Sequence, residues 1–203
     1  MKRLMQLILV TVLAFSSVPG FAAAGTQSNP YGLIKSVGDQ LFVDISKLNT
    51  LEEVQKKAQL KKLVREQLMP HIDIKYVSFK LLGKHVREIN RDQAVTFIDA
   101  VEQYLANTYA NALMSYKGQQ VNFIEPVVSD DSKFASVKSE IVEPNAPTID
   151  IVFKFRKNKA GEWQVYDLVA ESISLLSAKQ KEITARISEV GIEQVTKELV
   201  AKS

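Results

Sequence analysis

Two acidic side chains near the end of the chain, Asp167 and Glu171, have the type and spacing to do chemistry. On a regular strand, where side chains alternate, both fall on the face that carries Trp163 and Val165. A carboxylate on an apolar wall resists ionisation, so either acid could have a raised pKa and act as a general base, as in small cone-shaped isomerases. The plainer alternative is a strand-end acid paired with a lysine, an arginine or a helix N-terminus. Other reactive groups are scarce. The two imidazoles, His71 and His85, each lie near an expected helix boundary, where an interfacial or solvated histidine is the ordinary outcome. Asp130 and Asp131 sit between serines in a turn, which explains them without a metal, and Asp73 is explained as a helix cap.

The sequence also excludes much. It has no cysteine, so no thiol nucleophile, Cys-based metal site or disulfide framework. Its glycines form neither a dinucleotide fingerprint nor a phosphate loop, and no Gly-x-Ser-x-Gly elbow or His-Glu-x-x-His helix occurs. One basic run, Lys56, Lys57, Lys61, Lys62 and Arg65, could meet anionic lipid headgroups or an acidic protein surface. It is interleaved with Glu52, Glu53 and Glu66 and lacks the aromatics of a nucleic-acid platform, so nucleic acid is not an expected partner.

These residues need elements to position them, and the first two dozen residues are not among those elements. A basic start at Lys2 and Arg3, an apolar run over 4–15, the break at Pro19-Gly20 and small residues at Ala22 and Ala24 form a secretory signal peptide, residues 1–24. The apolar run is shorter than the ~20 residues a spanning helix requires. Its removal takes the formal charge from +3 to +1, so basicity carries no argument for a polyanionic partner. Residues 25–203 then form one exported domain, held together by its core and expected to be monomeric in the periplasm.

Within it, helical periodicity dominates the first half. Asn29-Pro30 caps a first helix, Thr50-Leu51-Glu52-Glu53 has capping-box form for a second that Pro70 closes, and Asp73 caps a third interrupted at Gly83. Asn90 opens the longest helix, ending near Gly118, with a broad apolar stripe from Ala94 through Leu113. From Gln120 the period changes to that of strands: 121–125, 134–142, 148–156 and 164–171, joined by short turns and therefore antiparallel neighbours. A helix from about Ser174, a break at Gly191 and a last short helix follow. The expected fold is α+β, a helical layer on one face of a four-stranded antiparallel sheet.

Three segments carry a family resemblance. Leu82-Gly83-Lys84, Thr108-Tyr109-Ala110-Asn111-Ala112-Leu113 with Tyr116-Lys117, and Trp163 through Leu168 with Glu171-Ser172-Ile173-Ser174-Leu175 fall in the order and spacing of the MlaC family. The chain resembles these toluene-tolerance type periplasmic phospholipid-binding proteins over essentially its whole mature length. It departs where the family usually has an aromatic pair (here His85-Val86), a glycine (here Ser172) and Tyr-Arg after Leu176 (here Ser177-Ala178-Lys179). The resemblance implies a highly twisted NTF2-like cone with a deep apolar cavity, and phospholipid as cargo rather than a cofactor. It also implies two partners: an outer-membrane lipoprotein–porin complex and an inner-membrane ABC transporter with an MCE-domain subunit, serving outer-membrane lipid asymmetry.

Two buried acyl chains represent on the order of 20 kcal/mol of transfer free energy at ~0.8 kcal/mol per methylene. A carrier must match that, so the cavity is expected near the top of the roughly 300–1,000 Å³ range of ligand pockets. Its expected lining is Val101, Leu105, Tyr109 and Leu113 from the long helix, with Ile151, Phe153, Val165, Tyr166, Leu168 and Ile173 from sheet and junction. Two alternatives stay open at this level: an enzyme on the same cone using Asp167 or Glu171, and a ligand-free adaptor with a filled interior.

Overall fold

The computed structural model describes residues 29–125 and 132–202. The signal peptide and the Asp130-Asp131 turn lie outside the described residues. Six α-helices are described: α1 (Pro30–Ser46), α2 (Glu53–Leu63), α3 (Ile74–Leu82), α4 (Arg91–Met114), α5 (Leu175–Val190) and α6 (Ile192–Ala201). The strands are β1 (Gln120–Ile124), β2 (Phe134–Val142), β3 (Ile149–Lys157), β4 (Trp163–Ala170) and β5 (Ile173–Ser174).

Most helix starts follow from local hydrogen bonding. Asn29 Oδ1 accepts from the Gly32 amide at 2.6 Å, with Pro30 contributing no competing donor. Asp73 accepts from the Tyr76 amide at 3.0 Å, and Asn90 and Gln93 form a reciprocal capping box at 2.9 and 3.0 Å. The box expected at Thr50 does not form. Leu51 donates back to the Leu48 carbonyl, which keeps Thr50 in the preceding turn, and α2 starts from Glu52 without a side-chain cap. At its other end α2 widens into a turn of π-helix, Val64–Leu68, before a 3-10 turn containing Pro70.

The sheet is an antiparallel meander in the order β1-β2-β3-β4-β5, one strand more than expected. The fifth arises because Glu171 and Ser172 both take positive φ, 48° and 67°, closing a two-residue hairpin that returns Ile173 onto Ala170. Such a loop matches the right-handed twist of its strands, and its usual residues are Asn and Gly. Between β3 and β4 the register slips: Lys154 pairs with Asp167 but Phe155 pairs with Val165, so Tyr166 is the extra residue of a β-bulge.

Helices cover one face of this sheet. α1 lies across β1 and β2, so close that a Cβ on Gly38 would stand 2.6 Å from the Phe123 ring. Ile34 joins Val137, Phe155, Trp163 and Val165 in the core between helix and sheet. Two further cores lie among helices: Leu41, Ile45 and Leu60 against Ala106 and Ala110 of α4, and Val77, Leu81 and Phe97 against Ile183 and Val195. Small residues at 106 and 110 let α2 approach the middle of α4 closely. No helix among the described residues is long and apolar enough to cross a membrane.

Candidate functional site

The bulge at Tyr166 builds the site. On an unbroken strand Val165 and Leu168 would face opposite ways; here each pairs with a phenylalanine of β3, Phe155 and Phe153, two residues apart on one face. Four consecutive residues, Val165 to Leu168, thereby reach the wall of a hollow of about 350 Å³ between β4, α3, α4 and the start of α5. Val77, Leu81, Leu105, Tyr109 and Leu176 supply most of its remaining apolar wall. A second hollow of about 90 Å³ lies between α1 and the sheet, lined by Leu33, Ile34, Val37, Leu68, Phe153 and Phe155 among others. Ile72, Tyr109, Val165 and Leu168 belong to both walls, so these residues stand between the two spaces. The expectation was a single cavity near the top of the pocket range; the space found is smaller and divided.

Of the ten residues expected at the cavity, Leu105, Tyr109, Val165, Tyr166 and Leu168 line the larger hollow, and Phe153 lines the smaller. The other four lie elsewhere. Val101 is fully buried one turn before Leu105, in the helical core of Phe97 and Val195. Leu113, two turns beyond Leu105, packs on the core formed with Leu41 and Leu60. Ile151 sits on the inner face opposite Ser139 and Ala170, away from both hollows. Ile173 is 60% exposed on the short edge strand.

Contributors that the sequence reading left out come from α1, from the 68–72 turn and from α3. Leu33 and Val37 on α1, and Val77 and Leu81 on α3, are visible in the sequence as apolar pairs at i, i+4 spacing. Ile72 is not, because its place is set by tertiary pairing: it bridges to Val165, and the Asp73 amide donates to the Val165 carbonyl at 2.9 Å.

Past the bulge Asp167 pairs with Lys154, yet it still reaches the wall of the larger hollow beside Val165, whereas Glu171 lies beyond the strand in the hairpin turn. The Asp167 carboxylate is buried and occupied on both oxygens. Oδ2 accepts from Ser174 Oγ at 2.7 Å and Oδ1 from the Leu176 amide at 3.0 Å, which fastens the N-terminus of α5 to β4. Glu171 is exposed at the hairpin and accepts from the Asp150 amide at 3.0 Å. Tyr109 has its phenol pushed up to about 12, first by burial and then by the Asp167 carboxylate, so it stays neutral. His71 borders the smaller hollow, and burial lowers its pKa. His85 is buried between Glu88 and the α5 groups Thr184 and Ser188, tying the 83–87 turn to that helix.

An α+β domain whose helices and sheet border apolar hollows, with the buried Asp167 holding a helix cap, is built as a binder of apolar ligands. The MlaC protein family profile matches residues 36–201, and the chain belongs to the MlaC family. It is 31% identical to the intermembrane phospholipid transport system binding protein MlaC of Haemophilus influenzae over 189 residues, covering 92% of this chain and 86% of that one. A phospholipid-binding protein from Ralstonia solanacearum, solved in complex with a phospholipid, shares the fold with a TM-score of 0.72. The sequences are 20% identical, and the match covers 85% of this chain and 95% of that one.

Proposed function

We propose that this chain is a periplasmic phospholipid carrier, exported by cleavage of residues 1–24 and working as the single domain 25–203. The observation that carries this reading is the apolar hollow of about 350 Å³ that β4 and α4 wall off, in a chain of the MlaC family. The carrier encloses acyl chains there and passes its cargo between an outer-membrane lipoprotein–porin complex and an inner-membrane ABC transporter with an MCE-domain subunit. No covalent step is needed; transfer follows from matching the hydrophobic free energy of the chains at each stage. The unfilled space is small for two long chains, so loading requires the walls around Tyr109 and Leu168 to part.

Organic extraction and mass spectrometry of protein purified from the periplasm tests the proposal. Phospholipid in near-stoichiometric amount is expected; protein that carries none, and takes up none from labelled vesicles, would overturn it.

A further inference from the structure

Beside the apolar hollow runs a groove of about 330 Å³ between α4, α5 and α6, lined by six charged side chains over an apolar floor. The two spaces share three lining residues, Tyr104, Lys179 and Glu182, so the groove begins where the hollow ends. Lys179 is the one cation that lines the apolar hollow among the described residues. Its ammonium lies 5.3 Å from the centre of the Tyr104 ring and 2.6 Å from Glu182 Oε2. Tyr104 and the lysine stem thus continue the apolar wall while the ammonium stands at its rim.

The other charges along the groove are committed differently. Arg186 is held by both oxygens of Glu198, at 3.1 and 2.7 Å, and by Glu189 at 3.1 Å. Those contacts fix α5 to α6 and leave the guanidinium little freedom to turn to a ligand. The partner of Lys179 is a half-exposed glutamate one turn on, and an exposed pair of this kind is worth little, so it can exchange. Three basic residues, Lys179, Arg186 and Lys202, balance three acids, Glu182, Glu189 and Glu198, along the whole groove.

The geometry points to Lys179 as the anchor for the phosphate of a phospholipid headgroup, with the charge-lined groove receiving the rest of the headgroup. This rests on the carrier reading above and deepens it. The physical reason is continuity. A diacyl phospholipid changes from apolar to anionic within a few bonds of its glycerol, and the wall makes the same change between Leu176 and Lys179, one turn of α5. An ammonium–phosphate bond at that point is charge-assisted and partly shielded by the Tyr104 ring. The balanced charge of the groove leaves the phosphate as the recognised group and sets no net field against either a neutral or a zwitterionic remainder.

The test compares two ligands with the same chains. Delipidated full-length mature protein is titrated with dioleoyl phosphatidylethanolamine and with dioleoylglycerol, which lacks the phosphate, by displacement of a fluorescent fatty acid. Lys179→Gln is expected to weaken the phospholipid about tenfold, the scale of one charge-assisted bond, and to leave dioleoylglycerol unchanged. Lys179→Arg should restore most of the loss, and Lys181→Gln, on the same helix but outside the groove, should change neither ligand. Lys179→Met, which keeps the apolar stem, replaces the glutamine variant should that fail to fold. Equal loss for both ligands, or loss for neither, would overturn the anchor while leaving the carrier intact. If wild type binds neither ligand, the carrier reading itself fails. Displacement of the probe by inorganic phosphate alone in large excess would mark a free-anion site and also overturn the proposal.

Discussion

Asp167 and Ser174 face each other across a hairpin, Ser174 Oγ donating to Asp167 Oδ2 at 2.7 Å, and together they cap α5. The serine oxygen accepts from the Ser177 amide at 3.0 Å while the aspartate takes the Leu176 amide, so two of the open donors at the helix start are satisfied. Asp167→Asn keeps the shape and loses the charge facing the helix N-terminus. It is expected to cost about 1–2 kcal/mol of stability in urea unfolding. Co-purified lipid should be unchanged in identity and amount, an outcome that a catalytic role for this acid does not predict.

Ser172, in the turn between β4 and β5, holds φ at 67°. A residue with a Cβ in the left-handed region carries a penalty of roughly 1–2 kcal/mol. Ser172→Gly should therefore raise the urea midpoint by the equivalent of about 0.5–1 kcal/mol, since glycine's greater unfolded entropy returns part of the gain. The slope with denaturant should stay the same. A fall in the midpoint would mean that the serine hydroxyl holds the β4–β5 turn together.

The helical half of this fold is legible because its signals are local. Asn29, Asp73, Asn90 and Ser174 cap helices whose apolar stripes are wide enough to read. The site is legible only in part. Tyr109 and Leu105 follow from the stripe on α4, but the stripe runs the length of the helix and does not say which turns are sealed by other helices. Val101 and Leu113 share the stripe with Leu105 yet pack into separate cores. The bulge at Tyr166 has no sequence signature of its own, and it decides that Leu168 pairs with Phe153 on the face that Val165 shares with Phe155. Likewise the left-handed Glu171-Ser172 turn, with neither Gly nor Asn, hides the fifth strand.

Acid should loosen the pairing of α5 with α6. Glu198 is held at about 2, below its ordinary 4.5, chiefly by hydrogen bonds from Arg186 and then from Gln194. A carboxylate with a depressed folded pKa stabilises the fold above its unfolded pKa, and that contribution is lost as pH falls toward the folded value. Stability should therefore decline from about pH 4.5 downward, and Glu198→Gln should flatten part of that decline while lowering stability at neutral pH. Asp44, held well below the carboxylate range first by Lys47 and then by Gln40 and Gln67, titrates in the same direction and keeps a residual slope. Urea midpoints of the two proteins compared at neutral pH and near pH 3 measure the difference. The group is partly exposed, so the effect should shrink in high salt.

Tyr109 offers the sharpest handle on cargo, because it belongs to the walls of both hollows. With the ring in place, a chain entering past Lys179 meets Tyr109 and Leu168 before it reaches Leu33 and Val37. Tyr109→Ala removes that divider and joins the spaces. The expected result is a shift of co-purified lipid toward longer acyl chains, accompanied by a loss of roughly 2–4 kcal/mol in stability from the cavity created. Tyr109→Phe preserves the ring and should keep the chain-length distribution of wild type; its hydroxyl stays neutral at all physiological pH, so little charge interaction is lost. Mass spectrometry of extracted lipid reads both variants. An unchanged distribution in Tyr109→Ala would mean that the ring already stands aside when lipid is bound, and that chain reach is set by the sheet residues Phe153 and Phe155 instead.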